Sequence, residues 1–158
     1  MAMTVKRACR AAIVALLAPV SPAAAELVGS FKDWSVYKHE AADQKLCFAA
    51  SRPKDSEPKD QKRIDVYFYL TLWPKDGVKE EVMVRLGQPL KKGTDVTVTI
   101  GSENFRLFAK DDKAFVEDAD AEKKLVAAIK KGDRLIVKAT LAAGGATTDV
   151  FSLLGISA

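Results

Sequence analysis

The chain has 158 residues with a formal net charge of +4, and 48% of them are hydrophobic, 29% charged and 8% aromatic. These proportions are typical of one globular domain and exclude a chain that is disordered throughout. Nine glycines and six prolines exclude a collagen-like or low-complexity chain. Two cysteines and one histidine are too few for a metal-cluster protein, and the sequence predicts no metal site and no cofactor.

The first 25 residues have the pattern of a cleaved secretory signal peptide. Three basic residues precede an apolar run at 11–20, which is too short to cross a bilayer of ~30 Å as a helix. Small residues at the end of the segment predict cleavage after Ala25. The alternative is an uncleaved anchor or a core helix, and Pro19 and Pro22 argue against it because proline interrupts a helix.

Removal of this segment changes the composition of the mature chain, residues 26–158, which we expect to form one domain. It takes away three basic residues and no acid, so the net charge falls from +4 to +1. A nearly neutral protein has no general attraction for nucleic acid, and no nucleic-acid partner is expected. Cys9 also departs, which leaves Cys47 as the one cysteine and allows no intramolecular disulfide. The mature form is predicted to have no transmembrane segment.

About eight short strands separated by turns are predicted in the mature chain. Strict alternation over 95–100 is typical of a strand with one buried face. Residues 63–73 form the strongest β run, because aromatic and β-branched side chains dominate it. The Gly-Gly pair at 144–145 predicts that the last two strands form a hairpin. The remaining predicted strands lie near residues 34–37, 46–49, 78–86, 105–107, 134–140 and 147–154.

One helix is predicted over about residues 119–131, where apolar residues recur at helical spacing. Asp118 or Asp120 can cap its N-terminus, and Gly132 is a suitable residue to follow its C-terminus. The whole pattern predicts a mainly β fold. We expect a β-sandwich or a partly open β-barrel of short antiparallel strands, with the helix packed on the sheet.

The most polar stretch, residues 51–63, is predicted to be an exposed loop. Three acids interleave with its basic residues, so the loop either contacts an acidic partner or is a solvated connection. The neighbouring residues 66–73 are apolar or aromatic on both faces, which is typical of a central strand or of a strand that presents one face to a partner. The candidate contact residues of the loop are Arg52, Lys54, Lys59, Lys62 and Arg63.

Catalytic patterns are nearly absent, and no catalytic residue is predicted. His39 has no nucleophile motif beside it. Acids such as Glu80 and Glu81 alternate across a strand, so they cannot face one cleft together. If the segments of Cys47 and His39 form a hairpin, the two side chains would make a nucleophile or a redox sensor. The alternative is a thiol packed among apolar neighbours, and Cys47 remains a candidate reactive thiol.

The order of several short motifs resembles one protein family. Behind the signal peptide come Gly-Ser-Phe-Lys-Asp-Trp-Ser-Val at 29–36 and then Cys47. They are followed by Ser-Arg-Pro-Lys at 51–54, Gly-Gln-Pro-Leu-Lys-Lys-Gly at 87–93, and Thr-Asp-Val-Phe-Ser-Leu-Leu-Gly at 148–155. Across nearly the whole mature chain, this order resembles the invasion-associated locus B family of exported bacterial proteins.

The resemblance implies export by a Gram-negative bacterium, a compact and mainly β domain, and no established enzymatic activity. The family is named after members linked to host-cell invasion, but many relatives occur in free-living bacteria, so the name does not carry a function over. The sequence departs from the commoner pattern at the cysteines. Tyr37 and Lys38 occupy the region where many members have one, and residues 113–115 stand where a later one is expected. This departure predicts a branch stabilised by packing, without a disulfide-dependent role.

We therefore expect a periplasmic or secreted, non-enzymatic binding module of the envelope. Its expected partner is an envelope protein, a cell-wall component or a host surface component. Two alternatives stay open. One is a small periplasmic thiol-based enzyme or redox sensor that uses Cys47, and the other is a purely structural envelope protein.

Overall fold

The computed structural model describes residues 24–41, 44–77 and 79–158. The predicted signal peptide lies outside the described residues, apart from Ala24 and Ala25. Its cleavage therefore stays a prediction. The first described element, a strand, begins at Glu26, the residue that follows the predicted cleavage site.

The described residues form eleven strands and one α-helix. In chain order these are β1 (Glu26–Phe31), β2 (Trp34–Ala41), β3 (Gln44–Ser51), β4 (Asp55–Glu57), β5 (Tyr67–Trp73), β6 (Lys79–Arg85), β7 (Asp95–Ile100), β8 (Glu103–Lys110), β9 (Lys113–Phe115), α1 (Ala119–Lys131), β10 (Arg134–Thr140) and β11 (Ala146–Ser152). The prediction of a mainly β fold with one helix is confirmed. The predicted number of about eight strands is too low.

The strands that sequence analysis missed have weak β patterns. Both β4 and β9 have three residues, too few to establish an alternation, and β4 is the polar run Asp-Ser-Glu. The alternation of β1 is broken because its pairing with β2 shifts between Leu27 and Gly29, as in a β-bulge. Pairing with a longer neighbour stabilises each of these strands, and a single sequence does not reveal that pairing.

All eleven strands belong to one antiparallel sheet, in the order β1-β2-β3-β5-β6-β9-β8-β7-β10-β11-β4. The sheet curves until segments near its two ends meet. The indole N–H of Trp34 donates to the carbonyl oxygen of Ser152 at 3.0 Å. Gly155 permits the approach, because a Cβ there would lie 2.0 Å from the carbonyl oxygen of Phe31. The result is a curved, open sheet close to the predicted partly open barrel.

The inner face of this curved sheet carries the hydrophobic core. Side chains alternate along each strand, so Phe68 and Leu70 of β5 point inward. Their cross-strand partners, Val84 and Val82 of β6, point the same way and are fully buried. The indole of Trp34 meets the ring of Phe68 edge-on, with centroids 6.2 Å apart. Removal of this apolar surface from water is the main favourable term in folding.

Helix α1 packs on this inner face and has the predicted bounds. Leu125, Val126 and Ile129 are buried there. The carboxylate of Asp118 caps the first turn by accepting the backbone N–H of Asp120 at 2.7 Å. Within the part of the chain that the structure describes, no helix has the length and hydropathy that crossing a membrane requires.

Gly132 follows the helix as predicted, but its backbone does not need glycine. Its φ is −84°, which any residue can adopt. Space is the constraint instead. A Cβ at this position would lie 2.7 Å from Cγ2 of Ile100 and 3.1 Å from Cδ1 of Leu153. The glycine therefore allows the end of α1 to approach β7 and the C-terminal segment closely.

Glu122 joins the helix to the sheet where strand pairing stops. The short strand β9 pairs with residues 83–85 of β6, so the ladder ends before Val82. The Glu122 carboxylate accepts the N–H of Val82 at 2.9 Å, and Glu122 is only 8% exposed. Next to Val82, Glu81 faces the outside of β6. Burial, followed by the charge of Glu122, raises the pKa of the Glu81 carboxyl.

A buried ion pair fastens the segment between β3 and β5 to the sheet. The side chain of Asp149 on β11 is 0% exposed, and that of Arg63 is 3% exposed. The guanidinium donates two hydrogen bonds to the carboxylate, at 2.7 and 2.6 Å, and Ser56 of β4 donates a third at 2.6 Å. The segment is therefore not wholly the exposed loop that was predicted, because β4 and Arg63 both bind β11.

Replacement of Asp149 by Asn should lower the free energy of unfolding by about 3–5 kcal/mol, because it leaves the Arg63 charge buried without a counter-ion. Urea titration followed by tryptophan fluorescence measures this quantity. The double variant Arg63→Met, Asp149→Leu removes both charges. Its free energy of unfolding should fall by less than that of Asp149→Asn alone. An Asp149→Asn protein as stable as the wild type would contradict a structural role for the pair.

Candidate binding surface

The outer face of β2, β3 and β5 carries a cluster of aromatic rings. Tyr37 stacks on Phe48 with centroids 5.1 Å apart, and Phe48 meets Tyr69 edge-on at 6.0 Å. Tyr69 in turn lies 5.5 Å from Tyr67. All four side chains are half-buried, and burial, followed by the neighbouring Tyr67, raises the pKa of the Tyr69 hydroxyl. Strand β5 is therefore apolar or aromatic on both faces, as its sequence indicates.

The aromatic cluster continues across the sheet as an apolar stripe. Tyr69 lies directly opposite Met83 of β6, and Met83 lies opposite Phe115 of β9. Phe115 is opposite Phe108 of β8, with ring centroids 5.8 Å apart, and Phe108 is 40% exposed. A continuous apolar stripe on the outer face of a sheet is typical of a surface that contacts a partner.

Arg52 connects this aromatic face to the polar segment after β3. Its guanidinium carbon lies 4.6 Å from the centroid of the Tyr67 ring, a cation–π contact. A depression of about 340 Å³ opens beside this contact. Tyr37 and Tyr67 stand on opposite sides of it, and Ala50 of the intervening strand β3 lies between them. The two features that the sequence marked separately, the polar segment and the outer face of β5, thus meet at one place.

The depression carries a net positive charge. Three basic residues line it (Lys32, Arg52 and Lys54) together with one acid, Asp33. Asp33 and Lys54 form an ion pair. A hydrogen bond from Lys54 is the largest cause that holds the pKa of the Asp33 carboxyl below its usual range, and a hydrogen bond from Ser152 is the next largest. Asp33 is therefore ionised at neutral pH and neutralises only one of the three cations.

Two of the five predicted contact residues are paired with acids of the same surface. The ammonium of Lys54 is bound to Asp33. That of Lys59 is bound to Asp55 and lies 3.6 Å from a carboxylate oxygen of Glu57. Exposed pairs of this kind are weak, so a partner can compete for these lysines. Their charge is nevertheless partly compensated before any partner arrives.

The other three predicted contact residues differ in exposure. Arg63 is buried against Asp149, so its guanidinium is not available to an outside partner. Neither Arg52 nor Lys62 forms an ion pair with the residues that the structure describes. Of the predicted set, Arg52 and Lys62 are therefore the cations that remain free to meet an anion.

Tyr37 and Lys32 complete the surface, although sequence analysis did not select them. Lys32 lies in the tight turn between β1 and β2 with a positive φ of 52°. Tyr37 reaches the depression because β2 pairs with β3 in a register that places Ser35 opposite Ala50. Short-range sequence patterns do not give this register. The alternation around the Trp-Ser-Val-Tyr run is the one sequence feature that could have pointed to Tyr37.

Cys47 and His39 lie on opposite faces of the sheet. In the β2–β3 hairpin, Cys47 is opposite Lys38, and His39 is opposite Leu46. Directly paired residues share a face and successive residues alternate, so the thiol and the imidazole point away from each other. The hairpin that was expected to bring the two together is present, but its register excludes a thiolate–imidazole pair.

The Cys47 thiol lies on the inner side of the sheet. It is free and half-buried beside an apolar depression of about 270 Å³ that includes Leu72 and Ile156. The ammonium of Lys38, its cross-strand partner, lies 3.1 Å from a carboxylate oxygen of Glu26. Lys130, which lines the same depression, is likewise paired, with Glu80 at 2.6 Å. Both cations are thus engaged with carboxylates, and the surroundings resemble those of a packed thiol more than those of an activated one.

Native Cys47 is expected to react slowly with a thiol reagent and to react fast once the protein is unfolded, because packing restricts access to it. Alkylation with iodoacetamide, followed by mass spectrometry with and without urea, measures both rates. Equal rates in the two conditions would contradict a packed thiol and would favour the thiol-based alternative.

A larger depression lies elsewhere, at the C-terminal end of α1. It measures about 570 Å³ and includes Glu103, Lys131, Asp133 and Arg134, so its charges balance. Within the described ranges, no three side chains of the metal-binding types are grouped so that they could hold an ion. The depression between Tyr37 and Tyr67 differs from the larger one in carrying a net charge and aromatic walls. It is therefore the stronger candidate for a binding site, although it is the smaller of the two.

Together, these features define a small, mainly β domain with one covering helix and an aromatic, positively charged outer surface. The chain matches the family model described as Invasion associated locus B (IalB) protein over residues 34–158. It belongs to that family, and the resemblance found in the sequence is confirmed.

A solved structure shares this fold. The crystal structure of invasion associated protein b from Bartonella henselae superposes with a TM-score of 0.60 and 18% sequence identity. The match covers 82% of this chain and 88% of that one. At this identity the likeness concerns the fold alone. No curated protein matches the chain.

Proposed function

We propose that this chain is exported and acts as a non-enzymatic binding module of the bacterial envelope, either periplasmic or secreted. The signal-peptide pattern and the family membership support this location. The contact surface is the outer face of β2, β3 and β5 together with the adjoining segment 52–62. Its partner is an anionic component, carried by an envelope protein, the cell wall or a host surface.

One observation carries this proposal, namely the position of the Arg52 guanidinium over the Tyr67 ring. The contact joins a free cation to an aromatic face at the rim of a depression. A half-buried aromatic cluster alone would fit many apolar partners, and a charged segment alone would fit a solvated loop. Their combination is typical of a surface that recognises a partner with both apolar and anionic parts.

Two alternatives make different demands on the protein. A thiol-based enzyme or redox sensor requires a reactive Cys47, and the opposite orientation of His39 leaves that thiol without the proposed base. A purely structural envelope protein requires no ligand, so no envelope component would raise its thermal stability. The binding proposal differs from both because it depends on the charge of Arg52.

Protein purified from the envelope should have the mass of residues 26–158, because cleavage after Ala25 is expected on export. Intact-mass spectrometry of the purified protein tests this directly. The mass of the full 158-residue chain would contradict cleavage, and with it the argument for location.

Arg52→Glu should weaken binding to isolated envelope fragments by roughly tenfold or more, the effect of losing a hydrogen bond to a charged group. Co-sedimentation with fragments from the same bacterium, at several salt concentrations, measures the affinity. The matched control is Lys124→Glu, which reverses an exposed charge on α1. The wild type and Lys124→Glu should bind the fragments with equal affinity, and raised salt should weaken the binding of both proteins.

If Arg52→Glu and Lys124→Glu bind the fragments equally well, the proposed surface is not the contact surface. If the wild type does not bind at all, the purely structural alternative is favoured. Both variants change exposed side chains, and their urea unfolding curves serve to establish that the fold is intact.

A further inference from the structure

We infer that the depression between Tyr37 and Tyr67 binds a sugar residue that carries an anionic group, either a carboxylate or a phosphate. The inference rests on the proposed function and names the ligand class that the surface recognises. It follows from the size of the depression, its aromatic walls, the free guanidinium at its rim and the position of its strands within the sheet.

Its size suits a small ligand. The volume of about 340 Å³ lies at the lower end of the range of roughly 300–1,000 Å³ that is typical of ligand sites. Ala50 lies between the two tyrosines and is 8% exposed, so its small side chain leaves the space open. One or two sugar rings fit such a volume, whereas an amphipathic helix requires a longer groove.

The walls match the two kinds of surface that a sugar ring offers. A sugar presents C–H groups on its faces and hydroxyl groups around its rim. The parts of the Tyr37 and Tyr67 rings that line the depression, together with the methyl group of Ala50, provide apolar contacts for these faces. Arg52 covers one face of Tyr67, and Phe48 covers one face of Tyr37. The phenol hydroxyls and Ser35, whose hydroxyl lies 3.2 Å from that of Ser30, provide donors and acceptors for the rim.

The guanidinium of Arg52 supplies the anion-binding group. Its position over Tyr67 restricts its motion before a ligand arrives, which lowers the entropy lost on binding. No carboxylate among the described residues occupies its N–H donors. A guanidinium of this kind binds a carboxylate or a phosphate through two parallel hydrogen bonds. Lys32, which forms no ion pair with the residues that the structure describes, adds a second cation on the same rim.

The sheet topology argues against an acidic peptide as the ligand. Extended peptides are usually recognised by adding a strand to a free sheet edge, where unpaired backbone groups provide most of the affinity. The strands around the depression, β2, β3 and β5, lie inside the sheet and pair with neighbours on both sides. These strands therefore offer no unpaired edge to which a peptide could add as a further strand, which favours a sugar ring over an extended peptide.

Calorimetric titration of the mature protein tests the inference with defined probes. Trigalacturonate carries carboxylates, and glucose 6-phosphate carries a phosphate. Maltotriose is a neutral sugar, while inorganic phosphate and poly-L-glutamate are anions without a sugar. At least one charged sugar should bind, more tightly than any of the three other probes, and the one that binds identifies the anionic group.

Arg52→Gln and Tyr67→Leu should each weaken binding of that charged sugar by about tenfold or more. Tyr37→Leu repeats the test on the opposite wall, in case Tyr67→Leu disturbs the fold. Near-ultraviolet circular dichroism checks the packing of each variant. The matched control, Lys124→Gln, removes an exposed charge on α1 and should leave the affinity unchanged.

The inference would be overturned in favour of a simple anion contact by either of two results. In one, poly-L-glutamate binds as tightly as the charged sugars; in the other, the tyrosine variants bind the charged sugar as the wild type does. Absence of binding by both charged sugars would also overturn it. In each case, Arg52-dependent binding to envelope fragments would leave the proposed function standing.

Discussion

The buried ion pair between Arg63 and Asp149 is the constraint on which the shape of the outer surface depends. Either charge is costly to bury without the other. The segment between β3 and β5 must therefore lie against β11 where Arg63 meets Asp149. Ser56 reinforces this attachment from β4, and the backbone N–H of Lys54 adds a bond of 2.7 Å to the carbonyl oxygen of Val150. The polar segment is thereby held against the sheet, with Arg52 over Tyr67.

Strand β5 connects the stability of the fold with the surface proposed for binding. Its inward residues, Phe68 and Leu70, belong to the core, while Tyr67 and Tyr69 form the aromatic face outside. The outer rings stay half-buried because they pack on one another and under Arg52. Such a surface has already lost part of its hydration and conformational freedom. A ligand therefore encounters groups that are largely in place, which favours binding.

Sequence patterns predicted the regular elements well and their spatial relations poorly. Local signals carry the bounds of α1 and the strict alternation of β7, so both were predicted at the observed residues. Strand register decides whether Cys47 meets His39 and whether Tyr37 lines the same depression as Arg52. The alternation of apolar and polar residues does not by itself give this register. Asp149 was missed although its alternation with Phe151 places it on the inner face. The sequence pattern predicts an exposed loop at its partner, Arg63, whereas the structure buries that side chain.

The most direct test of the account is a nuclear magnetic resonance titration of the ¹⁵N-labelled mature protein with trigalacturonate and, separately, with glucose 6-phosphate. The account predicts that at least one of them shifts amide signals in the β1–β2 turn, at the end of β3 through Lys54, and at the start of β5. Signals from α1 and from the depression at its C-terminal end should not move. Shifts centred on that depression, or no shifts with either probe, would contradict the assignment of the outer surface as an anionic-sugar site.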